Sequence, residues 1–254
     1  MDATRVKEAA RKFGADLVGI TALDNFAGTR PENDPRNIFK QGKSMIVIGR
    51  RIPRGALRGV ETGTTSAQNG VFEDFGMEML EDQFLAKATY DLVIWMESAG
   101  FEAVPMFGYD AEAAVKYPVG SPVAPGKAAP NVYVDWKLAA RLCGFGEVGR
   151  NGLFITPEFG TLQRFAMLIT DLELESDKIA VRNVCRDCNA CMESCPLNNS
   201  LCSRCEGGAI QTGFGRFHTI DKISAACGRA CLASLEKRNL ISRKFSTAFR
   251  KEVK

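Results

Sequence analysis

The chain lacks any segment that would direct it across or into a membrane. Its first 20 residues mix charges throughout and contain neither an apolar signal core nor a twin-arginine pair, and no apolar run approaches membrane-spanning length. We therefore expect a cytoplasmic protein with no membrane partner. The chain also lacks a large charge excess, because its formal net charge of +3 is too small to imply a nucleic-acid partner by itself.

Apolar residues, by contrast, are not scarce. They make up 45% of the 254 residues, which is enough for one large core or two unequal domains. Their spacing predicts an α+β fold with a domain boundary near residue 180, and long loops over residues 51–71 and 105–130. We expect a first domain of residues 1–180 and a second of residues 181–254 that ends in a basic tail. Helices are predicted over 4–13, 73–98 and 134–143, and strands over 15–21, 44–50, 101–106, 152–156 and 165–172.

Cysteine is the most informative residue type. Eight of the nine cysteines fall between Cys185 and Cys231, and in a chain without a secretion signal such crowding favours metal ligands over disulfides. The run C-x-x-C-x-x-C-x-x-x-C-P from Cys185 to Pro196 has the spacing of a bacterial-type 4Fe-4S site. A four-thiolate zinc site is the alternative, although zinc ligands more commonly come as separated C-x-x-C pairs.

A second set of cysteines follows the first. By analogy with two-cluster ferredoxins, in which the fourth cysteine of each run binds the other cluster, eight thiolates would hold two 4Fe-4S clusters. A single cluster with four spare cysteines is the alternative, because Leu232 replaces the usual proline after the last cysteine. The crossed assignment gives Cys185, Cys188, Cys191 and Cys231 to one cluster, and Cys195, Cys202, Cys205 and Cys227 to the other.

The stretch GFGEVGRNG, residues 144–152, matches the dinucleotide-binding pattern G-x-G-x-x-G. That loop requires a strand before its first glycine and a helix after its last, whereas here a helical pattern precedes and a strand pattern follows. A Walker A loop is excluded because no G-K-S/T occurs there. Two interpretations remain: a structural turn, or glycines that let the backbone approach a large flat ligand.

The same stretch, with TPEFG at residues 156–160 and the cysteine run after it, resembles the core shared by cobalamin-dependent reductive dehalogenases and epoxyqueuosine reductases. Weaker likeness extends upstream through AARKFGADLVGIT, KSMIVIG and MESAGFEAVPM. The resemblance implies a nitroreductase-like corrinoid-binding domain and a C-terminal two-cluster ferredoxin-like domain that reduces the corrinoid to cob(I)alamin. It implies corrinoid contacts from Gly144, Gly146, Gly149, Asn151, Gly152, Thr156, Pro157, Glu158 and Gly160.

The presence of a single histidine is consistent with the way this family binds its corrinoid. With only His218 and no D-x-H-x-x-G motif, the chain cannot bind a corrinoid through the histidine-ligated scheme of mutases and methyltransferases, and the resembled family leaves cobalt without a protein histidine. We interpret His218 as a histidine near a cluster, with a proton-relay role open. Cys143 we interpret as a small buried residue.

The catalytic positions depart from the family pattern. The position at which the resemblance implies a catalytic Asp is Pro130 here. We therefore take Tyr133 and Asp135 as candidate acids, and Arg164 as a candidate for binding an anionic substrate group or a corrinoid side chain, with a solvated Arg164 as the alternative. Because the chain ends soon after Cys231, we expect no tRNA partner.

The sequence therefore predicts a corrinoid-dependent iron-sulfur oxidoreductase with dehalogenase-like chemistry on a small substrate. Reduced ferredoxin or flavodoxin is the expected electron donor, and the resembled domain often forms a homodimer. An alternative is an electron-transfer module that reduces a partner corrinoid protein and has no substrate of its own. A second alternative is a reductase containing FMN, the usual cofactor of nitroreductase-like domains.

Overall fold

A computed structural model describes residues 1–57, 83–107, 125, 132–179, 182–195, 209–211, 217–219 and 226–242. The chain divides into two compact units. The first comprises Met1–Arg50, Phe84–Phe145 and Phe165–Ala180, and the second comprises Arg51–Gln83, Gly146–Arg164 and Val181–Lys254. The cysteine-rich segment thus shares its unit with residues that lie well upstream, including most of the glycine stretch.

The described residues of the first unit form a four-stranded sheet and three α-helices. The elements are α1 (Ala3–Lys12), β1 (Leu17–Ala22), β2 (Ser44–Arg51), α2 (Ala86–Ser98), β3 (Ala103–Phe107), α3 (Trp136–Leu142) and β6 (Gln163–Thr170, which begins in the second unit). The strand order is β1-β2-β6-β3, in which β1 pairs antiparallel with β2 and β3 pairs antiparallel with β6. Leu17 lies opposite Gly49, and Ala103 lies opposite Thr170.

The core of the first unit lies between one face of this sheet and helices α1 and α2. In β2, four successive residues from Met45 to Ile48 are at most 1% exposed, so the strand is buried on both faces. Such a strand is typically a continuous apolar run, as in SMIVIG. Helix α1 contributes Val6 and Ala10, one turn apart on the same side, and α2 contributes an apolar stripe that includes Leu92 and Met96.

The opposite face of the sheet is covered near Gly19. A Cβ on Gly19 would lie 2.7 Å from Cβ of Cys143 and 2.9 Å from the ring of Phe145. Phe145 also stacks on Phe165 with ring centroids 5.5 Å apart. The position accepts only glycine because the end of α3 rests directly on the strand. Cys143 is buried there, as expected.

The described residues of the second unit form two pairs of short strands and two helices. These are β4 (Glu147–Val148) paired antiparallel with β5 (Phe154–Ile155), α4 (Ala190–Glu193), β7 (Ala209–Gln211) paired antiparallel with β8 (Phe217–Thr219), and α5 (Ala226–Lys237).

Most elements predicted from the sequence are confirmed within a few residues. The predicted helix over 4–13 is α1, the one over 134–143 is α3, and the strands over 44–50 and 165–172 correspond to β2 and β6. The predicted helix over 73–98 is described only from residue 83. Most of the two predicted long loops, 51–71 and 105–130, lies outside the described residues.

Candidate metal centre

The first cysteine run forms a tightly turned loop that ends in α4. Asn183 and Asp187 both have positive φ, 50° and 55°, which turns the backbone sharply on either side of Cys185. The backbone N–H of Cys188 donates to the carbonyl of Cys185 over 3.3 Å. Cys185, Cys188, Cys191 and Cys195 are all half-buried, and all seven described cysteines are free thiols.

Glu147 holds the chain that leads into this loop. Its carboxylate accepts hydrogen bonds from three successive backbone N–H groups, those of Arg182 at 3.1 Å, Asn183 at 2.9 Å and Val184 at 2.7 Å. Hydrogen bonds to a charged acceptor are stronger than neutral ones. One side chain of the glycine stretch therefore fixes the approach to Cys185.

Arg150 contacts the loop with both its backbone and its side chain. Its backbone N–H donates to Sγ of Cys185 over 3.4 Å. Its guanidinium donates to the carbonyl of Cys188 over 3.2 Å and to Oδ1 of Asn189 over 2.8 Å. Beside these residues lies an open cleft of about 380 Å³, lined by Glu147, Arg150, Asn183, Cys185 and Arg186.

Helix α5 borders the loop on another side. Cys227 and Cys231 are buried one turn apart on the same face, and Ser234 follows on the next turn, where its hydroxyl lies 3.3 Å from Sγ of Cys188. Arg238, just after the helix, donates to the carbonyl of Val184 over 2.8 Å and to that of Arg186 over 3.1 Å. The positions 227, 231, 234 and 238 follow the helical spacing, and the last three carry groups that interact with the cysteine loop.

The surroundings shift the pKa values of two thiols in opposite directions. The Ser234 hydroxyl lowers the pKa of Cys188; burial opposes this effect, and the Ala190 backbone and Arg238 support it. Burial, together with the negative charges of Cys191, Cys185 and Cys188, raises the pKa of Cys231 to about 12. Four thiolates crowded together need a compensating positive charge, and bound iron would supply one.

Asn151 is a further polar group at the centre. Its side chain is 2% exposed, and its Oδ1 accepts from the backbone N–H of Leu153 over 3.2 Å. The amide nitrogen has no hydrogen-bond partner in the described part of the chain. The Asn151 side chain lowers the pKa of Cys231, against the larger effect of burial.

The described residues contain no group of three or more His, Cys, Asp or Glu side chains arranged around a single ion. A 4Fe-4S cluster requires a different arrangement, because each thiolate binds a different corner of the cubane. Of the eight predicted ligands, Cys202 and Cys205 lie outside the described residues. His218 is in β8, opposite Ile210 of β7.

The glycine stretch has a helix before it and strands after it, as its neighbours predict, so it is not a dinucleotide loop. A Cβ on Gly144 would lie 2.3 Å from the carbonyl oxygen of Lys178, and one on Gly146 would lie 1.9 Å from that of Ile155. A Cβ on Gly149 would lie 3.5 Å from Sγ of Cys185. Close approach of the chain to itself explains these glycines, and their corrinoid contacts remain a prediction, as do those of Asn151 and Gly152.

The turn at Thr156–Gly160 also packs within the second unit. The backbones of Thr156 and Gly160 exchange hydrogen bonds of 2.8 and 3.0 Å, which close the turn. A Cβ on Gly160 would lie 3.1 Å from Leu232 and 3.3 Å from Leu235, both on α5. The carbonyl of Pro157 accepts from the backbone N–H of Ser242 over 2.7 Å. This turn therefore supports the helix that carries Cys227 and Cys231, and the corrinoid contacts predicted for Thr156, Pro157, Glu158 and Gly160 stay predictions.

The three catalytic candidates occupy different settings. Tyr133 is half-buried, and its backbone is fixed by a 2.8 Å hydrogen bond to the Glu32 carbonyl and a 2.6 Å bond from Asn33 to its own carbonyl. Asp135 is the N-cap of α3. Its Oδ1 accepts from the backbone N–H of Lys137 at 2.8 Å and from that of Leu138 at 3.2 Å. Arg164 lies in β6 and is half-buried.

Sequence reasoning missed four residues that shape the centre: Glu147, Arg150, Ser234 and Arg238. The signal for the last two was present, because they continue the helical spacing of Cys227 and Cys231. Glu147 and Arg150 stand between the glycines, but their partners lie more than 30 positions away along the chain. No local pattern reveals such contacts.

No protein-family model matches the chain. A tetrachloroethene reductive dehalogenase of Desulfitobacterium hafniense is 30% identical over 216 residues, which cover 75% of this chain and 37% of that protein. An epoxyqueuosine reductase of Lactococcus garvieae is 40% identical over 68 residues, 27% of this chain and 19% of that protein. A reductive dehalogenase structure concerned with B12-dependent dehalogenation superimposes with a TM-score of 0.54 at 18% identity, over 98% of this chain and 34% of that one.

The fold is therefore a mixed α/β fold of the kind found in these enzymes. The resemblance seen in the sequence is confirmed: the chain is related to reductive dehalogenases and epoxyqueuosine reductases, which are oxidoreductases. It spans less than two fifths of the length of the dehalogenases that it matches.

One prediction about partners is wrong. The sequence led us to expect no tRNA partner, but the relatives include epoxyqueuosine reductases, which act on tRNA. The expectation relied on where the chain ends, and that position carries no information about RNA binding. Separately, no helix in the described part of the chain is long and apolar enough to cross a membrane.

We expect Gly146→Ala to destabilise the apoprotein by about 3 kcal/mol or more, because φ is 157° and the new Cβ would overlap the Ile155 carbonyl. Gly55→Ala is the matched control in the same unit, since nothing lies within 4 Å of its Cβ position, and its effect should stay within about 0.5 kcal/mol. Urea unfolding followed by circular dichroism measures both. An apoprotein of unchanged stability in Gly146→Ala would contradict the proposed backbone role.

In metal-free reduced protein, Cys188 should react with iodoacetamide faster than Cys231. The thiolate is the reactive form, and the pKa of Cys188 is lowered whereas that of Cys231 is about 12. At about pH 8, Cys231 is therefore almost fully protonated. Peptide mass spectrometry over a time course gives both rates, with buried Cys143, whose pKa burial also raises, as a slow reference. Equal rates at Cys188 and Cys231 would contradict the difference in pKa between the two thiols.

Proposed function

We propose that this chain is an iron-sulfur oxidoreductase that holds two 4Fe-4S clusters and acts with a corrinoid in reductive chemistry on a small substrate. The observation that carries the proposal is the contact between α5 and the first cysteine loop. Ser234, three positions after Cys231 on α5, lies 3.3 Å from Sγ of Cys188, and Arg238 donates to the carbonyls of Val184 and Arg186. This packing supports the crossed ligation expected of a two-cluster site, with the fourth ligand of the first cluster supplied from α5.

The residues around the first cluster suit such a group. The chain supplies an N–H donor to Cys185 and a hydroxyl beside Cys188. Groups of this kind orient metal ligands and stabilise the negative charge on thiolate sulfur. In this proposal residues 181–254 form the ferredoxin-like cluster segment, and Gly146–Arg164 hold it in place within the second unit.

The corrinoid part of the proposal rests on the relatives. The described glycines are explained by contacts within the chain, so they do not by themselves define a corrinoid cradle. In a B12-dependent enzyme the corrinoid supplies a strongly reducing, nucleophilic cobalt, and clusters can deliver electrons singly. We assign the sheet of the first unit to a nitroreductase-like domain and Tyr133 to the role of proton donor, because its backbone is fixed on both sides.

A second candidate function is an electron-transfer module that reduces a partner corrinoid protein. One observation favours it: the Asp135 carboxylate is engaged in capping α3, and Pro130 stands where the family resemblance implies an acid. An enzyme that protonates its own substrate needs a donor within reach of it. Tyr133 is then the deciding residue between the two functions.

Anaerobic reconstitution with iron and sulfide should give about eight irons per chain, and the protein should retain added cobalamin through gel filtration. Cys231→Ala should lose about four irons, because one cluster loses a ligand. Cys143→Ala is the matched control and should keep all of them, since Cys143 is buried in the first unit. Iron and cobalt are counted by mass spectrometry. Zinc in place of iron, or full iron in Cys231→Ala, would refute the cluster assignment, and loss of all cobalt would refute the corrinoid.

Halide release from a panel of chlorinated and brominated phenols and alkenes tests the enzyme role, with reduced methyl viologen as the electron source. Tyr133→Phe should lower turnover about 10²-fold or more, because the phenol proton is lost. Asp135→Asn should retain turnover, because asparagine caps a helix as well as aspartate does. Turnover unchanged in Tyr133→Phe would exclude that donor, and no halide from the cluster-loaded wild type would favour the electron-transfer module.

A further inference from the structure

Two hydrogen-bond donors lie beside thiols of the proposed first cluster, and one of them is a side chain that can be replaced. The backbone N–H of Arg150 points at Sγ of Cys185, and the hydroxyl of Ser234 lies beside Sγ of Cys188. They come from two separate segments, the glycine stretch and α5. Each donor therefore addresses a different sulfur.

Ser234 has one role open to it once Cys188 is ionised. The two atoms are 3.3 Å apart, within hydrogen-bond distance for sulfur, and a thiolate can only accept. The hydroxyl must then donate. Because Ser234 follows Cys231 by three positions on α5, the helix that supplies one ligand also places the donor for another.

We propose that Ser234 is a positioning residue that raises the reduction potential of the cluster held by Cys185, Cys188, Cys191 and Cys231. The inference rests on the proposed function, since it requires that cluster. Reduction adds one electron, and therefore negative charge, to the cluster and its sulfurs. Donors to the sulfurs stabilise the reduced state more than the oxidised one, and this raises the potential.

The test is a redox titration of the reconstituted protein, followed by electron paramagnetic resonance. Ser234→Ala should shift one of the two reduction steps to a more negative potential and leave the other in place. Ser234→Thr keeps the hydroxyl and should restore the wild-type value.

Ser194→Ala is the matched control. The Ser194 hydroxyl lies in the same part of the chain but donates to the carbonyl of Ala190 over 2.8 Å and not to sulfur. Its loss should leave both potentials unchanged. A shift in Ser194→Ala as large as that in Ser234→Ala would overturn the inference, because the effect would then be a general response to local substitution.

The outcomes separate the two proposals. If iron content and cluster signals are normal but Ser234→Ala moves neither potential, the inference is wrong and the proposed function stands. If the wild type binds no iron, the proposed function fails first. Circular dichroism of each variant checks that the fold is retained, and iron content checks that the cluster is loaded.

Discussion

The second unit depends on one carboxylate. Glu147 accepts hydrogen bonds from the three successive amides that lead into Cys185. If this carboxylate were lost, three backbone donors would need other partners, and the loop would lose its strongest link to the glycine stretch. The other contacts with the loop come from Arg150, which donates to Sγ of Cys185, and from Arg238, which donates to the carbonyl of Val184. Both contacts depend on the loop position that Glu147 fixes.

This arrangement changes the meaning of the glycines around Glu147. Gly146 is required because the Ile155 carbonyl occupies the space of its Cβ, and Gly149 passes close to Cys185. The stretch therefore supports the cysteine loop at least as directly as it could support a flat ligand. The turn at Thr156–Gly160 does the same for α5, so two glycine-containing turns hold the two segments that supply the neighbouring thiols.

Much of the fold could be predicted from local pattern. The buried run SMIVIG indicated β2, and the apolar spacing of residues 4–13 indicated α1, because each element must bury one side or both. The cysteine spacing likewise indicated a cluster site. The division into two units could not be predicted from local pattern, because it joins residues 146–164 to a segment that begins near residue 181. Asp135 was expected to act as an acid, and in the structure its carboxylate caps α3.

By itself, the sequence determined the order of helices and strands, the positions of the candidate ligands and the relationship to reductive dehalogenases and epoxyqueuosine reductases. These follow from spacing along the chain, and spacing is local. Only the tertiary structure decided that Ser234 lies beside Sγ of Cys188, and that Arg150 donates to Sγ of Cys185 and to the carbonyl of Cys188. Such contacts join positions tens of residues apart, and their geometry is set by packing and by backbone hydrogen bonds that no short motif encodes.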